Sequence, residues 1–341
     1  MDKHVQTKKN LENISKKIDS VIKKLLVSCL EKRHHPLILH QMLSGGKRLR
    51  PAMSVIVCKM MGGEDKDVLY SAAGLEILHN YTLIIDDIID HSSTRRGLPT
   101  VWSKFGTSIA QSLEMAYSGA LLEAGAKSKY SSEVSFLYAK ALKTVGDGEI
   151  LDILFEQSGR EDEPYIVKNR FQAVNKSDYL KMISKKTAIL FETACEVGGI
   201  CAEAEPKEIF HLKKFGFNVG LAFQIQDDIL DIFGEQKTLG KKIGGDIIEH
   251  KLGNIVISLF FKKANPKQRD SLMRILKKNK INDKDIERSI KLIGQTQAKS
   301  EAEKMSKEFT KKSKQHLSFL PKNVWNLQLE ALADFIINRE S

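Results

Sequence analysis

The sequence contains few of the residues that interrupt helices or stabilise small extracellular folds. Its 341 residues include only seven prolines, four cysteines and two tryptophans. The scarcity of proline argues against an all-β protein with frequent turns. The cysteines show no Cys-x-x-Cys spacing, which argues against a disulfide scaffold or a zinc site. No uncharged apolar run approaches about 18 residues, so we expect no transmembrane segment.

The N-terminal sequence and the net charge narrow the class of protein further. The first ten residues, MDKHVQTKKN, lack the apolar core of a secretory signal, and we expect a cytoplasmic protein. The formal net charge of +11 makes nucleic acid, anionic lipid or a polyanionic small molecule a candidate partner. Acids alternate with the lysines of residues 262–322 and aromatics are few there, so we expect solvated helix faces and no nucleic-acid partner.

Apolar residues recur at helical spacing over nearly the whole chain. One stripe consists of Leu11, Ile14, Ile18, Ile22 and Leu25. Period-two alternation is almost absent, and no repeat of 20–50 residues or low-complexity linker separates the chain into parts. We therefore predict an all-α protein that forms a single domain over residues 1–341.

The most informative feature is a pair of acidic clusters in apolar surroundings. DDIID occupies residues 86–90, and DDILD occupies residues 227–231. On a helix, the first and last carboxylates of each cluster lie four residues apart on one side. Carboxylates among leucine and isoleucine need a compensating positive charge, and Mg²⁺ accepts oxygen ligands from both carboxylates and phosphates. One such cluster is often a solvated helix face, but two in apolar helices predict a magnesium site for a phosphorylated substrate.

Basic residues lie close to both clusters along the chain. The segment GGKRLRP (45–51) is not a Walker loop, because it lacks the GxxxxGK[ST] spacing. The other basic segments are Arg95–Arg96, KKT at 185–187, and Lys241, Lys242 and Lys251 after the second cluster. Each alone is typical of surface charge, but their proximity to the acidic clusters favours diphosphate binding.

Five segments, in this order, resemble the trans-isoprenyl diphosphate synthases (polyprenyl synthetases), and most of all the archaeal geranylgeranyl diphosphate synthases. They are GGKRLRP (45–51), LEILHNYTLIIDDIID…RRGLPT (75–100), KKT (185–187), FQIQDDILDIFG (223–234) and LGKK…GGD…Lys251 (239–251). The resemblance implies an isoprenoid-synthase helical bundle around a deep central pocket, with the two acidic clusters facing each other across its mouth.

The resemblance also implies a reaction. The enzyme would condense isopentenyl diphosphate head to tail with allylic diphosphates of C5 to C15, giving mainly geranylgeranyl diphosphate (C20). A farnesyl (C15) synthase, a longer-chain polyprenyl synthase and a class I terpene cyclase are the alternatives. The GGKRLRP segment argues against a cyclase, because it suits a second diphosphate. A regulatory subunit would be expected to have damaged aspartates or to lack Arg95–Arg96.

Roles for individual residues follow from the resemblance. The catalytic set would be Asp86, Asp87, Asp90, Asp227, Asp228, Asp231, Lys186 and Lys241. Two or three Mg²⁺ ions would be held by Asp86, Asp90 and Asp227. Isopentenyl diphosphate would bind Lys47, Arg50, His79 and Arg96. The allylic diphosphate would bind Arg95, Lys186, Thr187, Gln224, Lys241 and Lys251.

Two further expectations concern product length and assembly. The growing product should extend along the helix that precedes Asp86, so we expect Tyr81, Leu78 and Leu75 to limit its length; ordinary packing of Tyr81 is the alternative. The family implies a homodimer. Residues 111–115 (QSLEM) depart from the pattern of that family, in which this helix contributes to the dimer contact.

Overall fold

The structure is a computed structural model that describes residues 3–234 and 243–338. The N-terminal third forms α1 (Lys3–Val27), α2 (His35–Leu43), α3 (Leu49–Met60), α4 (Asp65–Ile89), α5 (Val101–Phe105) and α6 (Thr107–Ala126). The central part forms α7 (Ser131–Leu154), α8 (Pro164–Asn169), α9 (Lys176–Ile183), α10 (Ile189–Cys201) and α11 (Pro206–Phe233). The remainder forms α12 (Gly245–Ile248), α13 (Ile255–Lys263), α14 (Pro266–Leu276), α15 (Asp283–Gly294), α16 (Ala298–Leu317) and α17 (Val324–Asn338).

Short irregular segments connect some of these helices. A 3₁₀ turn (Lys32–His34) precedes α2, and a π-helical turn (Ser184–Ala188) joins α9 to α10. Over the described ranges, the sheet structure consists of two antiparallel two-residue strands, β1 (Thr94–Arg95) and β2 (Leu98–Pro99). The all-α prediction is confirmed.

Several helices begin where the sequence supplies a side-chain cap. Asn175, Asn254, Asn265 and Asn282 each accept a hydrogen bond from a backbone N–H in the first turn of α9, α13, α14 and α15. The hydrogen bond gives a partner to one of the backbone N–H groups that have none within the first turn of a helix. The cap at Asn254 fixes the start of α13, three residues after the predicted site residue Lys251.

The chain folds into two compact units. The first unit contains residues 1–143, 190–217 and 312–334. In it, α4 packs against α1, α3 and α6, and Leu75 and Leu78 are completely buried. The second unit contains residues 144–189, 218–311 and 335–341. In it, α13 packs against α9 and α15 around buried side chains that include Phe260. The single-domain assignment stays a prediction.

Helix α4 is the one helix in the described part of the chain that is long and apolar enough to cross a membrane. Within its most apolar window, 61% is buried inside the protein. A core helix of a soluble protein has the same length and composition, because packing against its neighbours requires an apolar surface. The structure is therefore compatible with a soluble protein.

Candidate active site

The first acidic cluster forms the C-terminal end of α4. Asp86 and Asp87 lie in the last turn of this helix, and Asp90 is its C-cap. The Asp87 side chain is 1% exposed, whereas Asp86 and Asp90 are half-buried. The end of a helix carries partial negative charge, so three carboxylates there create a local demand for cations.

A tight hairpin directs Arg95 onto this cluster. Strands β1 and β2 are joined by Arg96 and Gly97, whose φ angles of 53° and 79° fit a type I′ turn. Arg95 Nε donates to Asp87 Oδ1 at 2.9 Å, and Arg95 Nη2 donates to Asp86 Oδ2 at 3.2 Å. Burial nevertheless raises the pKa of Asp87 to about 6, and Arg95 only partly offsets it.

The cations of the basic loop before α3 differ in burial and in partners. Arg48 begins α3 in the left-handed region, with φ 47°. Its side chain is almost completely buried; Nε donates to Asp19 at 2.9 Å and Nη1 donates to Glu76 at 2.9 Å. Lys47, by contrast, is exposed. Arg48 is therefore an internal tie between α1, α3 and α4, whereas Lys47 and Arg50 are the two cations of this loop that were predicted to bind substrate.

Arg50, His79 and Arg96 extend this basic region. Arg50 Nη1 lies 3.1 Å from His79 Nε2; because a guanidinium only donates, Nε2 accepts and the ring proton is on Nδ1. Burial, together with Arg50 and Arg96, lowers the pKa of His79 well below its usual value, so the ring is neutral at pH 7. Arg96 donates to the carbonyl of Gly45.

Gly46 is required by this arrangement. Its φ is +140°, and a Cβ atom there would lie 2.8 Å from Arg96 Nη1 and 3.0 Å from Arg48 Nη1. A side chain would displace at least one of these guanidinium groups. Gly46, the second glycine of the GGKRLRP segment, therefore allows the loop to pass close to two arginines.

In the second unit, the KKT segment forms the π-helical turn between α9 and α10. Such turns occur frequently at functional sites. Lys186 Nζ lies 2.7 Å from Asp152 Oδ2 and 2.8 Å from Glu149 Oε2, both on α7. Gly148 makes this approach possible, because a Cβ atom there would lie 2.5 Å from the Lys186 backbone nitrogen.

Asp152 also holds Lys251, so the structure brings two predicted substrate-binding lysines together. Lys251 Nζ lies 3.2 Å from Asp152 Oδ2 and 2.9 Å from Glu249 Oε2. Burial alone would raise the pKa of Asp152, but the ammonium groups of Lys186 and Lys251 outweigh it and lower the pKa. Asp152 is not among the site residues predicted from the sequence. The available signal was an acid in the apolar sequence ILDIL, the same pattern that identified the acidic clusters.

A chain of hydrogen bonds leads from the π-helical turn to the second acidic cluster. Thr187 Oγ1 donates to Gln224 Oε1 at 2.7 Å, and Gln224 Nε2 donates to Asp228 Oδ1 at 2.9 Å. The other oxygen of Asp228 accepts from the backbone N–H of Ile255 at 2.8 Å. Burial and the nearby Asp246 raise the pKa of Asp228 well above its usual value. In the second cluster, as in the first, burial therefore disfavours the ionised form of one aspartate.

The six aspartates fall into two groups. Asp87, Asp228 and Asp231 are buried, and their hydrogen bonds hold other parts of the protein: Asp231 accepts from the backbone N–H groups of Gly245 and Asp246, both at 3.1 Å. The half-buried group consists of Asp86, Asp90 and Asp227. Where the structure describes the chain, no three histidine, cysteine or acidic side chains form a ready metal site. Lys241 lies outside the described residues.

The residues expected to limit product length lie on one part of α4. Leu75 and Leu78 are completely buried. Tyr81 is half-buried, and its pKa is raised by burial and by Glu114. Glu114 belongs to the atypical segment 111–115 on α6, so the structure connects that segment to the same region of α4.

Known proteins of one family match most of the length of this chain. The Polyprenyl synthetase family model matches residues 33–293. The chain is 34% identical over 290 residues to the short chain isoprenyl diphosphate synthase of Methanocaldococcus jannaschii, covering 83% of this chain and 82% of that protein.

Solved structures show the same similarity. The geranylgeranyl pyrophosphate synthetase of Pyrococcus horikoshii aligns with a TM-score of 0.87 at 32% identity, over 99% of this chain and 100% of that chain. A polyprenyl synthase of Caulobacter crescentus, complexed with calcium and isoprenyl diphosphate, aligns with a TM-score of 0.86 at 27% identity, over 98% of each chain. The names of other relatives extend to geranylfarnesyl and heptaprenyl diphosphate synthases, so the comparisons do not fix a product length.

Proposed function

The chain belongs to the polyprenyl synthetase family, and we propose that it is a Mg²⁺-dependent trans-prenyltransferase of the cytoplasm. It condenses isopentenyl diphosphate with allylic diphosphates of C5 to C15 and releases mainly geranylgeranyl diphosphate. The observation that carries the proposal is that the two acidic clusters occupy the same kind of position. Each ends a long apolar helix, and each contains a buried aspartate whose pKa is raised.

The basic residues bind the two diphosphates in this proposal. Lys47, Arg50, neutral His79 and Arg96 bind isopentenyl diphosphate, for which His79 offers its Nδ1 proton as a donor. The residues that bind the allylic diphosphate are Arg95, Lys186, Thr187, Gln224, Lys241 and Lys251. Asp152 keeps Lys186 and Lys251 close to one another, so that two ammonium groups meet the same anion.

The acidic clusters fit a hard divalent cation. Their donors are carboxylate oxygens, and one of these, Asp87 Oδ2, is buried without a hydrogen-bond partner in the described part of the chain. Asp86, Asp90 and Asp227 would hold two or three Mg²⁺ ions. When bound, Mg²⁺ would neutralise the diphosphate and make it a better leaving group.

After diphosphate leaves, the reaction requires that the carbocation meets isopentenyl diphosphate and not water. Loss of diphosphate leaves an allylic carbocation, which the double bond of isopentenyl diphosphate attacks; the departing diphosphate takes the proton. No nucleophilic side chain is needed. Apolar residues such as Ile84 and Ile229, which are buried beside the clusters, exclude water that would otherwise capture the cation.

An elongation assay tests the proposal directly. The full chain is incubated with isopentenyl diphosphate, Mg²⁺ and each of the C5, C10 and C15 primers, and the products are sized by chromatography. We expect elongation with a main C20 product, loss of activity in EDTA, and recovery with added Mg²⁺. Failure to elongate any primer would reject the proposal, and a cyclic hydrocarbon formed without isopentenyl diphosphate would identify a cyclase.

Tyr81 offers a test of the residues that limit product length. We expect Tyr81→Ala to shift the main product to C25 or longer, because removing the ring opens space beside α4. The control is Tyr70→Ala, an exposed tyrosine on the same helix, which should leave the product unchanged. Identical product distributions for Tyr81→Ala and the parent chain would mean that Tyr81 only packs against α6.

We further propose that the protein forms a homodimer through α6 and α7. Met115, Leu122 and Phe136 are among its most exposed large apolar side chains, and Met115 is 72% exposed. Leu122→Glu with Phe136→Glu should reduce the molar mass in solution from a dimer to a 38.4 kDa monomer. A parent chain that is already monomeric, measured by light scattering, would refute this assembly.

A further inference from the structure

A second exposed apolar surface lies in the first unit, away from α6 and α7 in the sequence. Phe210 on α11 is 52% exposed, and Phe319 after α16 is 64% exposed. The two rings surround a pair of histidines: His211 stacks on Phe319 at 4.4 Å between centroids, and Phe210 packs edge-on against His211 at 5.3 Å. We call Phe210 and Phe319 the phenylalanine patch.

The histidine pair holds this patch in place. His211 Nδ1 lies 3.1 Å from His316 Nδ1, which is hydrogen-bonding distance, and this contact joins α11 to α16. Phe210 also lies edge-on to His316, at 6.3 Å between centroids. The two phenylalanines are therefore presented to solvent from a fixed support. Exposing two large aromatic rings on a rigid surface is unfavourable in water.

Lysines outnumber acids in the two segments that carry the patch, although one of them, Lys314, lies 2.5 Å from Asp334 Oδ1 and 3.7 Å from Glu330 Oε1. Between Glu308 and Glu330 the sequence contains four lysines and no acidic residue. On α11, Lys214 Nζ lies 5.7 Å from the centroid of the Phe210 ring, and the exposed Lys207 precedes Phe210 by one turn. Over residues 205–214 of this helix and its approach, the acidic residues are Glu205 and Glu208. Exposed aromatic rings among lysines match the interface of an anionic lipid bilayer, where rings enter the acyl boundary and lysines meet the headgroups.

We propose that the phenylalanine patch docks the enzyme on an anionic membrane surface. The proposal rests on the proposed function in one respect, because the expected product carries a C20 hydrocarbon chain that partitions poorly into water. A reaction that uses such a product as a lipid must take place at a membrane. Docking would let the product pass into the bilayer on release. A protein partner would also cover apolar rings, but its recognition would not require the excess of lysine that surrounds these two rings.

Vesicle binding tests the proposal without substrates, and therefore independently of the elongation assay. The full chain is sedimented with vesicles of phosphatidylcholine containing about 30% phosphatidylglycerol, and with vesicles of phosphatidylcholine alone. We expect binding to the anionic vesicles only, weakened at about 0.5 M salt because the headgroup attraction is screened. Phe210→Ser with Phe319→Ser should weaken the binding at least about tenfold, because the two aromatic rings that would insert into the bilayer are removed.

A matched control excludes a general loss of apolar surface. Tyr165→Ser removes an exposed aromatic ring from α8 and should leave vesicle binding unchanged. All variants should retain the elongation rate of the parent chain in vesicle-free solution, which shows that they are folded. The proposal is overturned if the parent chain ignores anionic vesicles, if it binds neutral vesicles equally, or if the double variant binds like the parent. It is also overturned if the double variant loses molar mass, since the patch would then join copies of this chain.

Discussion

Replacing Asp86 or Asp227 by asparagine is expected to lower kcat/KM for elongation at least about a thousandfold. Asparagine keeps the volume of the side chain but removes the charge, so each cluster loses a carboxylate oxygen that would hold Mg²⁺. A thousandfold loss corresponds to about 4 kcal/mol of transition-state stabilisation. Both residues are half-buried, so the change should leave the folded structure intact. Initial rates at saturating and limiting allylic substrate measure the effect.

The matched control is Asp162→Asn, an exposed aspartate between α7 and α8, which should elongate at the parent rate. A second comparison uses Asp87→Asn. Asp87 is buried and bonded to Arg95, so this variant should mainly raise KM for the allylic diphosphate, as expected for a positioning residue. If Asp86→Asn and Asp227→Asn retained more than a tenth of the parent activity, the metal assignment would be wrong.

The two acidic clusters could be picked out in the sequence because their carboxylates stand in unfavourable surroundings. An aspartate surrounded by leucine and isoleucine occupies a position where a helix of this pattern would normally carry an apolar residue. Asp86 and Asp227 are conspicuous for that reason. Helical periodicity likewise predicts the all-α class, because an apolar stripe at 3.6-residue spacing is a local property of the chain. Both inferences needed only neighbouring residues.

The features that the sequence did not reveal depend on contacts between distant segments. Asp152 acts on Lys186 and Lys251, which lie 34 and 99 positions later in the chain, and no local pattern connects these residues. Glu76 is similar: on α4 it is one more acid within an apolar helix, and only the structure shows that it faces Arg48. Spacing predicts which residues share a helix face, but not which helix they face.

Arg48 provides the second large expected effect, on stability. Arg48→Met should lower the free energy of unfolding by about 3–5 kcal/mol, because it leaves the carboxylate of Glu76 buried without its cation. Both side chains of the Arg48–Glu76 pair are 4% exposed. Urea unfolding followed by circular dichroism measures the loss. Arg33→Met, which removes an exposed ion pair with Glu31, should change the free energy by less than about 1 kcal/mol.

The double variant Arg48→Met with Glu76→Met separates charge burial from loop positioning. It removes both buried charges and keeps apolar volume, so it should recover most of the lost stability. Arg48 also donates to the carbonyls of Gly45 at 3.1 Å and Met42 at 3.3 Å, and these bonds stay broken. We therefore expect the double variant to be stable but to show a raised KM for isopentenyl diphosphate, because Lys47 and Arg50 flank the released position. A double variant as unstable as Arg48→Met would show that the backbone carbonyls, rather than Glu76, account for the stabilising role of Arg48.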